Sequence, residues 1–356
     1  MMSLLLRTLG AKRTKCGTVA LSAGIMAVVI ATSVATAADW PGFRGGFGDG
    51  ASRETGVFAG RDSFGLDVAW KKPSGSGYAG IAVADGRVVT LFSDGTSDVA
   101  AAFDVDTGNE QWRFKIDATY EGHDGSHTGP IATPLIANGR VFGIAPRGRM
   151  FALDLKSGEM VWDTNLVDDH GVKKPHYGFG TSPMLVDGVL VVQIGAEEAA
   201  VAGFDPATGK QLWTAGGDGV SYQSPVRATL TNGGAQILIA GNKNLLGINP
   251  ADGGIIWEHP HGGEGARGLM SMVPVPAGDD RIFLAYKDDR STLVTLSGTG
   301  DAFSVATAWE DRSIRNSYNV PVYHDGHVYA YSSRFLTCVD ANTGESVWRS
   351  RQPGDG

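Results

Sequence analysis

Cysteine is nearly absent from this chain, with two residues among 356. Cys16 lies in an N-terminal segment that we expect to be removed from the mature protein, which leaves Cys338 alone. A single cysteine excludes an intramolecular disulfide, even in an oxidising compartment. Stability must therefore come from the packing of a core.

Long segments with the 3.6-residue hydrophobic period of a helix are also lacking. Glycine, in contrast, contributes 51 residues, about twice its average share in globular proteins. Short runs of Val, Ile and Leu lie between glycine-containing turns. This pattern predicts an all-β fold, meaning a sandwich, a barrel or a propeller.

A long hydrophobic run occurs at the N-terminus, at residues 19–34. It follows four basic residues and ends in Ala35-Thr36-Ala37, which is the layout of a cleaved secretory signal. We therefore predict a signal peptide over residues 1–37 and a mature protein that begins at Ala38. The alternative is a retained membrane anchor. Cleavage leaves no transmembrane span and predicts an exported protein, periplasmic or secreted.

Basic residues are few in the predicted mature chain. Removal of residues 1–37 leaves 26 Lys and Arg against 38 Asp and Glu, a net charge of −12. Nucleic acids and anionic lipid surfaces attract proteins of the opposite charge. We therefore expect no nucleic-acid partner.

Tryptophan recurs at a nearly constant interval. Seven residues are spaced 39 to 52 positions apart: Trp70, Trp112, Trp162, Trp213, Trp257, Trp309 and Trp348. A repeat of this length is typical of four-stranded propeller blades. The intervals define six complete units.

Five of these tryptophans end a segment of one pattern, as in FDVDTGNEQW at 103–112. An Asp or Asn lies four residues before a Gly, and the Gly lies four residues before the Trp. The acidic or amide side chain can accept N–H bonds at a turn, the Gly can adopt positive φ, and the Trp can pack between blades. The structural repeat positions are Asp104, Gly108, Trp112, Asp154, Gly158, Trp162, Asp205, Gly209, Trp213, Asn249, Gly253, Trp257, Asp340, Gly344 and Trp348.

Upstream of most of these segments, two apolar runs flank a two-residue turn. The turns are Asp85-Gly86, Asn138-Gly139, Asp187-Gly188 and Asp325-Gly326. Asp-Gly and Asn-Gly between apolar runs are strong β-hairpin signals. Each unit is therefore predicted to contain four antiparallel strands.

On these segments the chain resembles the PQQ-like, or tryptophan-docking, β-propeller repeat proteins of bacteria. Members of this group resemble the propeller lipoprotein of outer-membrane assembly and, more distantly, the quinoprotein dehydrogenases. WPGFRGGFGDG, at 40–50, resembles the N-terminal segment of secreted members with a single propeller. The resemblance implies an N-terminal segment at 38–69 that leads into propeller repeats at 70–356.

Related propellers have seven or eight blades, whereas six complete units are visible here. We therefore expect a parent with more blades, truncated at the C-terminus. An open blade edge presents free N–H and C=O groups, so self-association through that edge is expected.

The resemblance also raises the possibility of enzymatic activity. Catalytic relatives hold pyrroloquinoline quinone (PQQ) and Ca²⁺ at the centre of the propeller, usually below a disulfide of adjacent cysteines. This chain has no adjacent cysteines and no segment that matches the metal-binding residues. We therefore expect no cofactor, no metal and no catalytic residue, with a PQQ- and Ca-dependent dehydrogenase or another small-molecule enzyme as the alternative.

Polar and aromatic residues precede the innermost strand of several units. They are predicted to meet at one mouth of the central channel, where a ligand or partner could bind. The candidates are Tyr78, His127, His176, Tyr177, Tyr222, Gln223, Arg315, Asn316 and Tyr318. The alternative is a purely structural role, in which these residues form hydrogen bonds to neighbouring blades and to water. The sequence thus favours an exported, non-catalytic scaffold that binds a protein or polysaccharide in the cell envelope.

Overall fold

The described part of the protein is all-β, with six four-stranded antiparallel sheets, as the sequence predicts. The computed structural model describes residues 38–57, 65, 67–123, 128–196, 199–217, 222–231, 234–241, 243–260, 273–285, 290–298, 302–314, 319–332 and 334–351. The predicted signal peptide, residues 1–37, lies outside these residues. Within them, no helix is long and apolar enough to cross a membrane.

Each sheet consists of four strands that are consecutive in the chain. The first three sheets contain β1 (Ala82–Ala84), β2 (Arg87–Ser93), β3 (Ser97–Asp104) and β4 (Glu110–Ala118); β5 (Leu135–Ala137), β6 (Arg140–Ile144), β7 (Arg149–Asp154) and β8 (Met160–Asn165); and β9 (Met184–Val186), β10 (Val189–Gln193), β11 (Val201–Phe204) and β12 (Gln211–Ala215). The last three contain β13 (Val226–Leu230), β14 (Gly234–Ala240), β15 (Asn244–Ile248) and β16 (Ile255–Pro260); β17 (Val275–Pro276), β18 (Arg281–Ala285), β19 (Ser291–Ser297) and β20 (Ser304–Asp311); and β21 (Val322–His324), β22 (His327–Ser332), β23 (Phe335–Asp340) and β24 (Ser346–Ser350).

In four of the sheets, the first two strands are joined by a two-residue hairpin turn. In the first sheet Ala84 pairs with Arg87, so Asp85 and Gly86 alone form the turn, with φ of 49° and 72°. Positive φ at both turn residues matches the right-handed twist of the strands and requires Asp, Asn or Gly. The sheet then continues outward, from a buried third strand to a half-exposed fourth strand.

Tryptophan side chains connect each sheet to the next. Trp162 in β8 is 8% exposed, and its Nε1 donates to the carbonyl oxygen of Pro206 in the following sheet, at 3.0 Å. Its ring covers Gly209, where an added Cβ would lie 2.6 Å from the ring. Gly209 also has a φ of 72°. The glycine of the repeat therefore serves both the turn and the close approach of the indole.

Trp70, Trp112, Trp213 and Trp309 make the equivalent bond to the next turn. Trp257 is an exception, because its Nε1 donates to Oε1 of Gln236 in its own sheet, at 2.8 Å. The fifth sheet has Leu296 and Ser297 where the other units have the Asp or Asn of the turn. The hydrogen bond from the Trp Nε1 to the next turn is therefore absent where the next turn departs from the repeat pattern.

Residues 40–50, which we call the hub segment, lie against the first strands of several sheets. Trp40 exchanges two backbone bonds with Val83 in β1, at 2.7 and 2.8 Å. The Pro41 carbonyl oxygen accepts from the N–H of Ile136 in β5, at 2.7 Å. Further along, Gly48 lies beside Met184 in β9. The first strands therefore surround this segment, and the fourth strands form the outer surface.

Arg44 connects the hub segment to the sixth sheet. Its Nη2 donates to the carbonyl oxygen of Pro321, at 2.9 Å, and to that of Asp49, at 2.7 Å, while its Nε donates to that of Gly48, at 3.0 Å. Phe43 packs against a buried cluster that includes Val226 and Val273. One short segment thus contacts sheets at both ends of the repeat array.

Candidate functional site

Six equivalent positions converge on a cavity of about 390 Å³ at the centre of the sheets. Each position lies two residues before the first strand of its sheet. They are Gly80, Thr133, Ser182, Ser224, Val273 and Val320. The cavity therefore marks the central channel, and the connections that enter the first strands form its mouth. Its volume lies in the range of clefts that hold small organic ligands.

Hydroxyl groups form one side of this cavity. Thr133 Oγ1 accepts a bond from Gly80 N at 3.1 Å, and Ser182 Oγ accepts from Thr133 N at 3.0 Å. Ser224 Oγ in turn accepts from Ser182 N, also at 3.0 Å. Each hydroxyl thus satisfies the backbone of the preceding sheet. We call Thr133, Ser182 and Ser224 the hydroxyl belt.

The other side of the cavity is apolar, because the fifth and sixth sheets place Val273 and Val320 where the hydroxyls stand elsewhere. The hub segment adds Trp40, Phe43 and Arg44 to the lining. Burial lowers the pKa of Arg44 to about 10, against the opposing effect of Asp49. The guanidinium therefore remains protonated at neutral pH. The cavity thus has one polar side and one apolar side, with a positive charge in its wall.

A row of aromatic rings extends from the cavity along its mouth. Tyr222 and Tyr177 lie with ring centroids 5.7 Å apart, Tyr177 and His176 at 4.6 Å, and His176 and His123 are stacked at 5.1 Å. Tyr120 meets His123 edge to face at 6.3 Å. Pairs of aromatic rings favour offset-stacked and edge-to-face geometries such as these. We call His123, His176, Tyr177 and Tyr222 the aromatic row.

Tyr222 is held in an unusual backbone conformation, with a φ of 59°. A non-glycine residue in this region is uncommon, and it persists where the surroundings over-determine it. Here the Tyr222 hydroxyl accepts the N–H of Tyr177 at 2.7 Å, so two connections of different sheets are tied together. Burial raises the pKa of this hydroxyl. The ring is thus fixed at the rim of the cavity.

The structure brings several of the predicted site residues together. Tyr78 and Tyr222 line the cavity, and His176 and Tyr177 belong to the aromatic row. Gln223 lies beside Tyr222 but lines a separate, smaller cavity with Gln193. The other candidates, His127, Arg315, Asn316 and Tyr318, fall outside the described residues. The use of these residues in binding remains a prediction.

The sequence did not predict several residues of the site. The hydroxyl belt had a signal, because Thr133, Ser182 and Ser224 each directly precede a Pro that lies immediately before an innermost strand. His123 is not among the predicted site residues. Trp40 and Arg44 gave no such signal, because the hub segment lies outside the repeat.

A buried carboxylate stabilises the connection that carries Tyr120 and His123. Asp98 in β3 is fully buried, and its Oδ2 accepts the N–H of Tyr120 at 3.1 Å. Its Oδ1 has no hydrogen-bond partner among the described residues. Burial raises the pKa of Asp98 to about 6, although the Tyr120 N–H and the charge of Arg147 act in the opposite direction. The charged form of Asp98 therefore destabilises the folded protein.

The replacement Asp98→Asn should stabilise the protein at pH 7.5 by roughly 1–3 kcal/mol. The folded-state pKa lies above the ordinary value, so the stability contribution of the protonated form is present near pH 4 and lost as pH rises through about 6. Urea unfolding at pH 5 and pH 7.5 would measure this difference. The control is Asp94→Asn, because the N–H groups of Thr96 and Ser97 lower the pKa of Asp94 to about 2. That variant should lose stability at pH 7.5. An Asp98→Asn protein with an unchanged pH dependence would contradict the assignment.

The described residues offer no cluster of side chains that fits the Ca²⁺ ion of a quinoprotein. Among them, no group of three or more His, Cys, Asp or Glu side chains is placed to hold a metal ion. The cavity lining contains no carboxylate side chain in this part of the chain. We therefore assign no chemical step to such a group.

Comparisons with known proteins agree with this architecture. The family profile described as "Outer membrane protein assembly factor BamB" matches residues 51–173 and 95–350. Outer membrane protein assembly factor BamB of Yersinia pestis is 25% identical over 221 residues, which cover 59% of this chain and 53% of that protein. Quinohemoprotein alcohol dehydrogenase ADH-IIG of Pseudomonas putida is 28% identical over 267 residues, which cover 68% of this chain and 34% of that protein.

The match thus spans about half and about a third of the length of these two curated relatives. Among solved structures, BamB from Moraxella catarrhalis superimposes with a TM-score of 0.54 at 18% sequence identity, covering 79% of this chain and 74% of that chain. A likeness at this identity shows the fold alone, which is the β-propeller.

Proposed function

Because the chain belongs to the family described as outer membrane protein assembly factor BamB, we propose that it is an exported, non-catalytic propeller scaffold that binds a protein partner in the cell envelope. The proposed binding surface is the channel mouth, formed by the aromatic row and the rim of the central cavity. A polysaccharide partner is the alternative that the experiment below distinguishes.

Exposed apolar side chains at the rim of the cavity carry this proposal. Tyr78 is 69% exposed and Ile81 is 55% exposed, and both line the cavity beside Tyr222. Large apolar side chains grouped around a depression and flanked by fixed aromatic rings are typical of the central part of a protein interface. Tyr is also among the residues that contribute most to binding energy in such interfaces.

Export is part of the proposal. It rests on the predicted signal peptide at 1–37 and on the outer-membrane assembly role that the name of the Yersinia pestis relative gives to that protein. Expression of the full chain with its native N-terminus should yield an envelope protein whose mass corresponds to a start at Ala38. Self-association through an open blade edge also remains a prediction.

Affinity capture from an envelope extract would test the function. We expect the full chain to retain specific proteins, and the double replacement Tyr78→Ala and Ile81→Ser to lose them without a change in thermal stability. The matched control is Val161→Ser, which removes an apolar residue that is 42% exposed on the outer strand β8. Equal capture by the rim variant and the control would contradict the proposal. Retention of glycans alone would favour the polysaccharide alternative.

The dehydrogenase alternative rests on the similarity to quinohemoprotein alcohol dehydrogenase ADH-IIG. Reconstitution of the full chain with PQQ and Ca²⁺ would test it directly. We expect neither quinone absorbance after gel filtration nor dye reduction with alcohols. Stoichiometric quinone retention with alcohol-dependent dye reduction would overturn the non-catalytic assignment.

A further inference from the structure

The central cavity offers hydrogen-bond donors on one side and an apolar wall on the other. Each belt hydroxyl uses its oxygen to accept a backbone N–H, as does the Tyr222 hydroxyl. A hydroxyl has a single proton, and these bonds leave that proton to be donated. In the described part of the chain, Thr133, Ser182 and Ser224 make no further hydrogen bond that uses it.

The positive charge in the cavity wall also favours a ligand that accepts hydrogen bonds. Arg44 lines the cavity and is protonated at neutral pH, and its described bonds all go to neutral carbonyl oxygens. Asp49 is the nearby opposite charge, but its carboxylate is engaged by Arg53 and by the N–H of Ala51. Hydrogen bonds from neutral donors to a charged acceptor are stronger than bonds between neutral groups. The wall therefore favours an acceptor with negative charge.

The opposite wall limits what the rest of the ligand can be. Val273 and Val320 present hydrocarbon to the cavity at positions where the belt would otherwise continue, and Phe43 of the hub segment extends this apolar wall. A strongly hydrated polyanion would make no apolar contact with this wall, and several of its charges would lose their hydration on binding. A single carboxylate joined to an aliphatic or aromatic body matches both walls.

We propose that the central cavity binds a monocarboxylate with an apolar body, with its carboxylate on the hydroxyl belt and its apolar body on the wall formed by Val273, Val320 and Phe43. This chemistry has two sources, a free organic acid or the C-terminal residue of a polypeptide. The inference rests on the proposed function only in using the same mouth of the propeller. It adds a chemical specificity that the family does not supply.

Calorimetric titration of the full chain with two pairs of probes tests the inference. One pair is 3-phenylpropionate and 3-phenylpropionamide, and the other is acetyl-Gly-Gly-Phe with a free or an amidated C-terminus. We expect the carboxylates to bind and the matching amides to bind about tenfold or more weakly. Tighter binding of the free peptide than of phenylpropionate identifies a chain end as the source, and the reverse order identifies a free acid.

Two variants locate the binding in the cavity. Val320→Glu and Ile131→Glu each place a carboxylate on the lining and should weaken binding of the carboxylate probes about tenfold or more by like-charge repulsion. Val347→Glu is the matched control, because Val347 is 54% exposed on β24, outside the cavity. Thermal unfolding of each variant identifies any that fails to fold.

Three results would overturn the inference. They are absence of binding by both carboxylates, equal affinity for acids and amides, and undiminished binding by the folded cavity variants. These results are separable from the proposed function, because partner capture is measured with the rim variants at Tyr78 and Ile81. Loss of partner capture in those variants, without carboxylate binding, would leave the scaffold function standing and remove only the specificity.

Discussion

Replacing Trp162 by alanine is expected to destabilise the protein by roughly 3–5 kcal/mol, the usual range for truncation of a large buried aromatic side chain. The ring is 8% exposed and closes the contact between the second and third sheets. Its loss leaves a cavity against Gly209 and removes the donor to the Pro206 carbonyl oxygen. Both changes act on the same boundary, so neighbouring side chains cannot easily fill the space.

Chemical denaturation measures this loss, and Trp348→Ala is the matched control. Trp348 occupies the same position of the repeat, but it is 42% exposed. In the described residues, its Nε1 makes no hydrogen bond to a following turn. We therefore expect a loss of about 1 kcal/mol or less for the control. Similar losses for Trp162→Ala and Trp348→Ala would show that docking between sheets does not determine the stabilising effect of these rings.

The contrast between these tryptophans also indicates which parts of the fold the sequence can predict. The repeat Asp104, Gly108 and Trp112 has a fixed spacing, because a turn and the following strand need the same residues in every sheet. The number of sheets and their four antiparallel strands followed from that spacing, and the structure confirms them. The missing Asp of the fifth unit was also visible, but the new acceptor of Trp257, the Gln236 side chain, was not.

The candidate site was less predictable for a physical reason. Its residues come from connections that lack a shared pattern, and their contacts join distant positions, such as Tyr177 with Tyr222. The sequence could predict that residues entering the innermost strands meet near one axis. It could not show that the hub segment lies on that axis, because Trp40 and Arg44 occur once and have no equivalent in the repeats. The positive φ of Tyr222 is likewise set by tertiary contacts and not by local propensity.

Replacing Arg44 by methionine is expected to destabilise the protein by roughly 3–5 kcal/mol, because hydrogen bonds to a charged group contribute about 1.5–3 kcal/mol each and are here partly buried. The methionine side chain has a similar length but no donor. The carbonyl oxygens of Gly48, Asp49 and Pro321 would each lose a partner. The bond to Pro321 has a further consequence, because it joins residues 277 positions apart. Its loss should loosen the sixth sheet before the others.

Urea unfolding and amide hydrogen exchange would test both parts of this prediction. Arg44→Met should lower the free energy of unfolding and reduce the protection of amides in β21 to β24 more than that of amides in β5 to β8. Arg53→Met is the matched control, because Arg53 carries the same charge nearby in the chain but is exposed, with an ion pair to Asp49 and a cation–π contact with Phe47. An exposed ion pair contributes about 1 kcal/mol or less, so the control should remain close to the parent protein. If exchange accelerated uniformly in all sheets of Arg44→Met, the hub segment would stabilise the propeller as a whole and would not specifically join the sixth sheet to the first.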